Sequence, residues 1–279
     1  MRSDFGRETY DARLLVTSPT LPASNSLLQV IRNWAGGEPI SCLSDPWVAL
    51  AMSMRYDERG GWAVAMPEDL VAKARAAKGF MPDDEGQLLY RVGRERLPHG
   101  PALEVGGYCG KSAIYLGAAA RDAGGTVFSV DHHRGSEENQ EGWPYHDPEL
   151  ADPVFGRLDT LPTFRRTIAG AGLEDHVVAV VGRSTTVSAH WRTPLSLLFV
   201  DGGHTDEHVT NDYEGLGRWV AAGAMLMFHD IYPDPADGGQ APYRVYCRAV
   251  HGGDFAEVAA LGSMRVLVRV SGRAGDPVS

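Results

Sequence analysis

Four residues have the types and spacing for metal and acid–base chemistry. The apolar run Leu195–Val200 leads into Asp201-Gly202-Gly203-His204, and Met225–Phe228 leads into His229-Asp230. In a parallel sheet the carboxyl ends of such strands are neighbours, so Asp201, His229 and Asp230 can converge on one point. Two carboxylates and an imidazole suit a divalent ion, Mg²⁺ or Mn²⁺ where waters complete the shell. His204, three residues after Asp201, sits where a strand becomes a helix. That is a place for a general base with a near-neutral pKa. The plainer alternative stays open: Asp201 caps a helix, His229-Asp230 form a surface turn, and His204 bonds to local backbone.

A second group of residues could hold a nucleotide. Ala102–Val105 runs into Glu104-x-Gly106-x-x-x-Gly110 and then into Lys111-Ser112-Ala113-Ile114. A second strand, Val127–Val130, ends at Asp131. A glycine turn after one strand and an acid after the next is a Rossmann-like layout. The glycines let backbone approach a ligand, and the acid can hold a ribose diol. Gly182-Arg183-Ser184, at the end of a third strand, is placed to meet an adenine. His132 and His133 read as loop residues near the ribose. The turn is not Gly-x-Gly-x-x-Gly and has Glu104 inside it, which argues against an NAD-dependent oxidoreductase. Cys109 within the turn reads as a small buried filler rather than a nucleophile.

These positions need a scaffold, and the apolar runs supply it. Leu103–Val105, Val127–Val130, Val177–Val181, Leu195–Val200 and Met225–Phe228 are short and continuous, as in strands buried on both faces of a parallel sheet. Between them, Lys111–Ala123, Leu158–Ala171 and Asp206–Trp219 read as helices. Phe255–Ala259 and Met264–Val270, joined at Gly262-Ser263, read as an antiparallel hairpin. The pattern predicts an α/β fold, a Rossmann-like, doubly wound, seven-stranded sheet with an antiparallel C-terminal hairpin. Residues 1–80 read as an N-terminal helical cap, with an amphipathic stretch at Ser26–Ile31 and helices at Pro46–Arg55 and Pro67–Ala77. Residues 81–272 read as the main domain, opening on a helix around Asp84–Val92, and 273–279 as a disordered tail.

Residues 132–158 form a long acidic connection rich in Pro, Gly, Trp and Tyr. It leaves from the ligand-binding edge and reads as a lid. Its His146 is a second candidate base, and Trp143 and Tyr145 can either stack on a ligand or pin the loop to the core. The formal charge of −10 on 279 residues argues against nucleic-acid or anionic-membrane surfaces. No apolar run is long enough for a membrane span and no signal-peptide pattern opens the chain. The three cysteines, Cys42, Cys109 and Cys247, are far apart and fit reduced cytoplasmic thiols.

Taken together, residues 80–270 resemble class I S-adenosylmethionine-dependent methyltransferases. The resemblance matches Glu104, Gly106 and Gly110 to that family's first motif, with Ser112 behind it. Asp131 matches its ribose acid, Gly182-Arg183-Ser184 its adenine loop, and Asp201 its fourth-strand acid. Asp84-Glu85-Gly86-Gln87-Leu88-Leu89 resembles the helix before the first strand in metal-dependent O-methyltransferases. The pairing of Asp201-x-x-His204 with His229-Asp230 is similar to the metal-dependent sugar O-methyltransferases of macrolide biosynthesis. The loop resembles that of 1-O-methyltransferases of methylmannose polysaccharide synthesis. The resemblance implies S-adenosylmethionine as cofactor, Mg²⁺ or Mn²⁺ on Asp201, His229 and Asp230, His204 or His146 as base, a sugar or oligosaccharide acceptor, and a homodimer. His229 stands where the family has an acid. A catechol-like acceptor and a non-enzymatic S-adenosylmethionine-binding protein are the rival expectations.

Overall fold

The computed structural model describes residues 65–279. The expected stretches at Ser26–Ile31 and Pro46–Arg55, and Cys42, lie outside the described residues. The described chain runs α1 (Glu68–Ala76), α2 (Asp83–Arg96), β1 (Ala102–Val105), α3 (Lys111–Ala123), β2 (Val127–Asp131), α4 (Leu161–Ala171) and β3 (Val177–Val181). It continues through α5 (Ser184–His190), β4 (Leu195–Val200), α6 (Asp206–Leu216), β5 (Val220–Phe228), α7 (Ala241–His251), β6 (Phe255–Leu261) and β7 (Met264–Arg269).

The strands form one seven-stranded sheet in the order β3-β2-β1-β4-β5-β7-β6. β1 to β5 are parallel, and β7 runs antiparallel to both β5 and β6. The order reverses beside β1, where sequence neighbours part to opposite sides, and a crevice opens outside the carboxyl ends. β1 and β4 are buried along their whole length, which is why their sequences read as unbroken apolar runs. β3 differs: it is an edge strand, and Val178 and Val181 are exposed. Its apolar run does not mark burial on both faces.

Several boundaries move for local reasons. α4 starts at Leu161, not Leu158, because Pro162 can occupy only its first turn. Leu158 instead bridges Ala151 across the loop. α6 stops at Leu216 and tightens to a 3₁₀ turn over Gly217–Trp219. β5 begins five residues earlier than its apolar run, through Ala221, Ala222 and Gly223, whose small side chains hide the strand. α5 and α7 were not anticipated. The tail expected to be disordered is held: Arg218 donates to the Gly275 carbonyl, and Ser279 donates to Asp254.

The helix before the sheet matters for the site. A Cβ on Gly86 of α2 would lie 2.3 Å from the Tyr115 ring of α3, so only glycine lets the two helices meet this closely. That approach carries Glu85 to the sheet edge.

Candidate active site

The crevice is a cavity of about 550 Å³ at the carboxyl ends of the parallel strands. Gly106, Ser112, Asp131, Gly182, Arg183, Ser184, Asp201, His204, His229 and Asp230 line it; Glu104, Gly110 and His146 do not. The turn after β1 is built tightly. Gly106 has φ +97°, and a Cβ there would sit 2.0 Å from the Asp201 carbonyl oxygen. Its glycine is therefore demanded by the crossing of β1 and β4 from behind, not only by a ligand in front. Gly110, at φ +92°, caps α3.

Asp131 organises the neighbouring loops. Its Oδ2 accepts the Tyr108 N–H at 2.8 Å and its Oδ1 accepts the His133 N–H at 2.7 Å. Both donors are left-handed non-glycine residues, at φ 42° and 58°. The carboxylate thus supports two unfavourable conformations and still faces the cavity. His132 lines the cavity, whereas His133 is buried against Thr160 and Phe164. Glu104 is fully buried beneath the turn and accepts the Ser112 hydroxyl at 2.9 Å. Burial drives its carboxyl up to about 7; the Ser129 and Ser112 hydroxyls pull against that rise, and Asp201 and Asp131 add to it. Burial also pushes the Cys109 thiol up to about 12, which fits a filler and not a nucleophile.

Asp201, His229 and Asp230 meet as the strand ends suggest, with one ligand atom of each within 4.8 Å of the others. His229 Nδ1 is 3.2 Å from Asp201 Oδ1 and 3.3 Å from Asp230 Oδ2. His204 Nε2 lies 3.0 Å from the same Asp230 oxygen. Asp230 is itself left-handed, at φ 57°, and its Oδ1 accepts the Tyr232 hydroxyl at 3.1 Å. Burial lowers the His229 pKa, but Asp201, Asp230 and Glu85 outweigh it and raise it strongly. Burial likewise opposes charge on His204, yet Asp230, Asp201 and Glu138 lift it to about 9. Burial favours the neutral form of Asp201 and holds it above the usual carboxylate range. For Asp230 the two histidines win over burial and hold it far below that range. The donor set, two carboxylates and an imidazole whose ligand atoms lie within 4.8 Å of one another, fits a divalent cation.

The loop lies over this crevice. Glu138 Oε2 stands 3.2 Å from His204 Nδ1. Lys78 pairs with Asp147 at 2.5 Å and with Glu149 at 2.7 Å. The Phe80 ring packs between Tyr108 and Tyr145. His146 turns away, with Nδ1 3.2 Å from the Asn139 carbonyl oxygen. Trp143 is 55% exposed. Glu138, Lys78, Tyr232 and Glu85 also join the site; Glu138, Lys78 and Glu85 do so through partners from distant segments, and Tyr232 through Asp230 two residues before it.

Residues 103–231 match a family model described as a methyltransferase domain. Among solved structures, the chain is similar to the SAH-bound methyltransferase PaMTH1 of Podospora anserina, at 13% identity and TM-score 0.55, over 92% of this chain and 100% of that one. It is also similar to the O-methyltransferase TomG of Streptomyces achromogenes, involved in tomaymycin synthesis and solved with SAM. That match has 16% identity and TM-score 0.50, over 75% of this chain and 93% of the other. At such identities the likeness is one of fold. The matched stretch supplies every parallel strand end of the crevice.

Proposed function

We propose that the protein transfers a methyl group from S-adenosylmethionine to a sugar hydroxyl, assisted by a divalent ion on Asp201, His229 and Asp230. The observation that carries this reading is the convergence of those three residues and His204 in one crevice at the strand ends. The sulfonium methyl is already activated, so the chain must mainly position the donor and prepare the acceptor. A bound ion would orient the acceptor oxygens and make the hydroxyl more acidic.

The chain's own residues divide the remaining work. Asp131, fixed by two backbone N–H groups, turns its free lone pairs toward a ribose diol. Gly182, Arg183 and Ser184 take the adenine end. Glu104 acts from behind, through the Ser112 hydroxyl that lines the cavity. His204 takes the hydroxyl proton, and Glu138 on its other ring nitrogen stabilises the resulting imidazolium. His146 plays no part in this scheme, because it faces the Asn139 carbonyl. The acidic lid suits a polar acceptor better than a flat aromatic one.

The test is calorimetry with S-adenosylhomocysteine and with NAD, followed by methyl-transfer assays on methylated mannosides, other glycosides and catechols, with and without metal. Binding of S-adenosylhomocysteine alone and metal-dependent turnover of a glycoside are expected. Turnover confined to catechols removes the sugar acceptor. Full activity after chelation removes the metal.

A further inference from the structure

Behind the candidate metal ligands stands a carboxylate that the scheme above leaves unused. Glu85, in the first turn of α2, is 2% exposed. Its Oε2 lies 2.6 Å from Nε2 of His229. Its Oε1 accepts the Ser263 N–H at 2.5 Å. A Cβ on Gly262 would sit 2.1 Å from that oxygen, so the β6–β7 turn is shaped around the carboxylate. The Ser263 carbonyl in turn accepts the Ile231 N–H at 2.9 Å, which ties the same turn to the residue after Asp230.

This arrangement decides how His229 can act. With the Glu85 oxygen as acceptor, Nε2 carries the hydrogen. A divalent ion would take the place of the Nδ1 hydrogen, between Asp201 and Asp230. Ligand atoms at right angles around an ion with bonds of about 2.1 Å stand about 3.0 Å apart. The two Nδ1–oxygen separations, 3.2 and 3.3 Å, are close to that spacing. A carboxylate on the far nitrogen of a ligating histidine fixes the ring and strengthens the near nitrogen as a donor. Imidazole donors favour first-row transition metals, whereas Mg²⁺ prefers oxygen and water.

We propose that Glu85 is a positioning residue that locks His229 as an Nδ1 ligand, and that the site therefore takes a first-row transition-metal dication in preference to Mg²⁺. The proposal rests on the metal-assisted reading of the same crevice. It is tested on the full chain, stripped of metal and titrated calorimetrically with CoCl₂ and with MgCl₂, with S-adenosylhomocysteine binding as the control for folding. The wild type should bind Co²⁺ about tenfold or more tightly than Mg²⁺. Glu85→Ala should lose roughly 10–100-fold in Co²⁺ affinity and shift the visible spectrum of bound Co²⁺. Glu85→Gln, whose amide oxygen can still accept the Nε2 hydrogen, should keep more of both. His229→Asn should abolish the preference for Co²⁺.

Equal wild-type affinities for Co²⁺ and Mg²⁺, or a preference that survives His229→Asn, overturn the selectivity. Unchanged Co²⁺ affinity and spectrum in Glu85→Ala overturn the positioning role. Both results leave metal-assisted methyl transfer standing. A wild type that binds S-adenosylhomocysteine but neither ion overturns the metal-assisted reading, and this inference with it.

Discussion

Glu104 is a buried acid whose burial and charged neighbours disfavour its ionised form. Its folded pKa, about 7, lies above its unfolded value. The folded state therefore holds a proton that the unfolded chain releases near pH 4.3, and stability falls as pH rises from there through about 7. Glu104→Gln should remove that slope. Its amide oxygen can accept from Ser112, and its amide nitrogen can donate to the Ser129 hydroxyl. The variant should gain stability over wild type at pH 8, by at most roughly 4 kcal/mol, and show little gain at pH 4. Urea unfolding at the two pH values measures this, and an equal difference at both removes the argument. His204 leads to a different expectation. His204→Ala should lower kcat by about 10²–10⁴-fold while S-adenosylhomocysteine affinity stays near wild type. A base must be unprotonated to act, so wild-type kcat/KM should rise with pH along a limb no higher than about 9.

At the scale of elements, the loop over the crevice is held by contacts that global stability should not register. The Lys78 ion pairs are only partly shielded from solvent, and such pairs add little to folding. They do connect the segment after α1 to the far half of the loop. Lys78→Ala should leave the melting temperature unchanged but speed amide hydrogen exchange across residues 136–150. No change in exchange there would mean that the Phe80 packing holds the loop alone. This part of the molecule was only half legible in sequence. The loop's length, composition and departure point set it at the crevice edge, and its residues do line the crevice. Its fastening at Lys78, and its touch on His204 through Glu138, depend on partners 69 and 66 residues away that no local pattern encodes. The same limit hid Glu85. The Asp84–Leu89 stretch was legible as a helix before the first strand, but nothing nearby in sequence points Glu85 to His229.

For the whole molecule, the order of legibility follows the physics of the sheet. Strands β1 and β4 announced themselves because burial on both faces demands unbroken apolar residues. The chemistry at their ends was legible because parallel strands bring their carboxyl ends to one edge. β3 carried the same signal without the burial, and β5 carried more strand than its signal. Gly106 was legible as a requirement, but half of its reason lies in the crossing to β4. The fold is shared with proteins of 13–16% identity, so the acceptor is written in the crevice and its lid.

The contact between Glu138 and His204 also bears on timing. An acceptor that reaches His204 must pass the loop, and swinging the loop away breaks that contact. Entry and exit would then be paced by the diffusive motion of some two dozen residues through solvent. Such motion slows in a thicker medium, whereas methyl transfer itself does not. Turnover that falls in proportion to added sucrose viscosity, and a Lys78→Ala variant that is less sensitive, would show that the enzyme waits on its door and not on its chemistry.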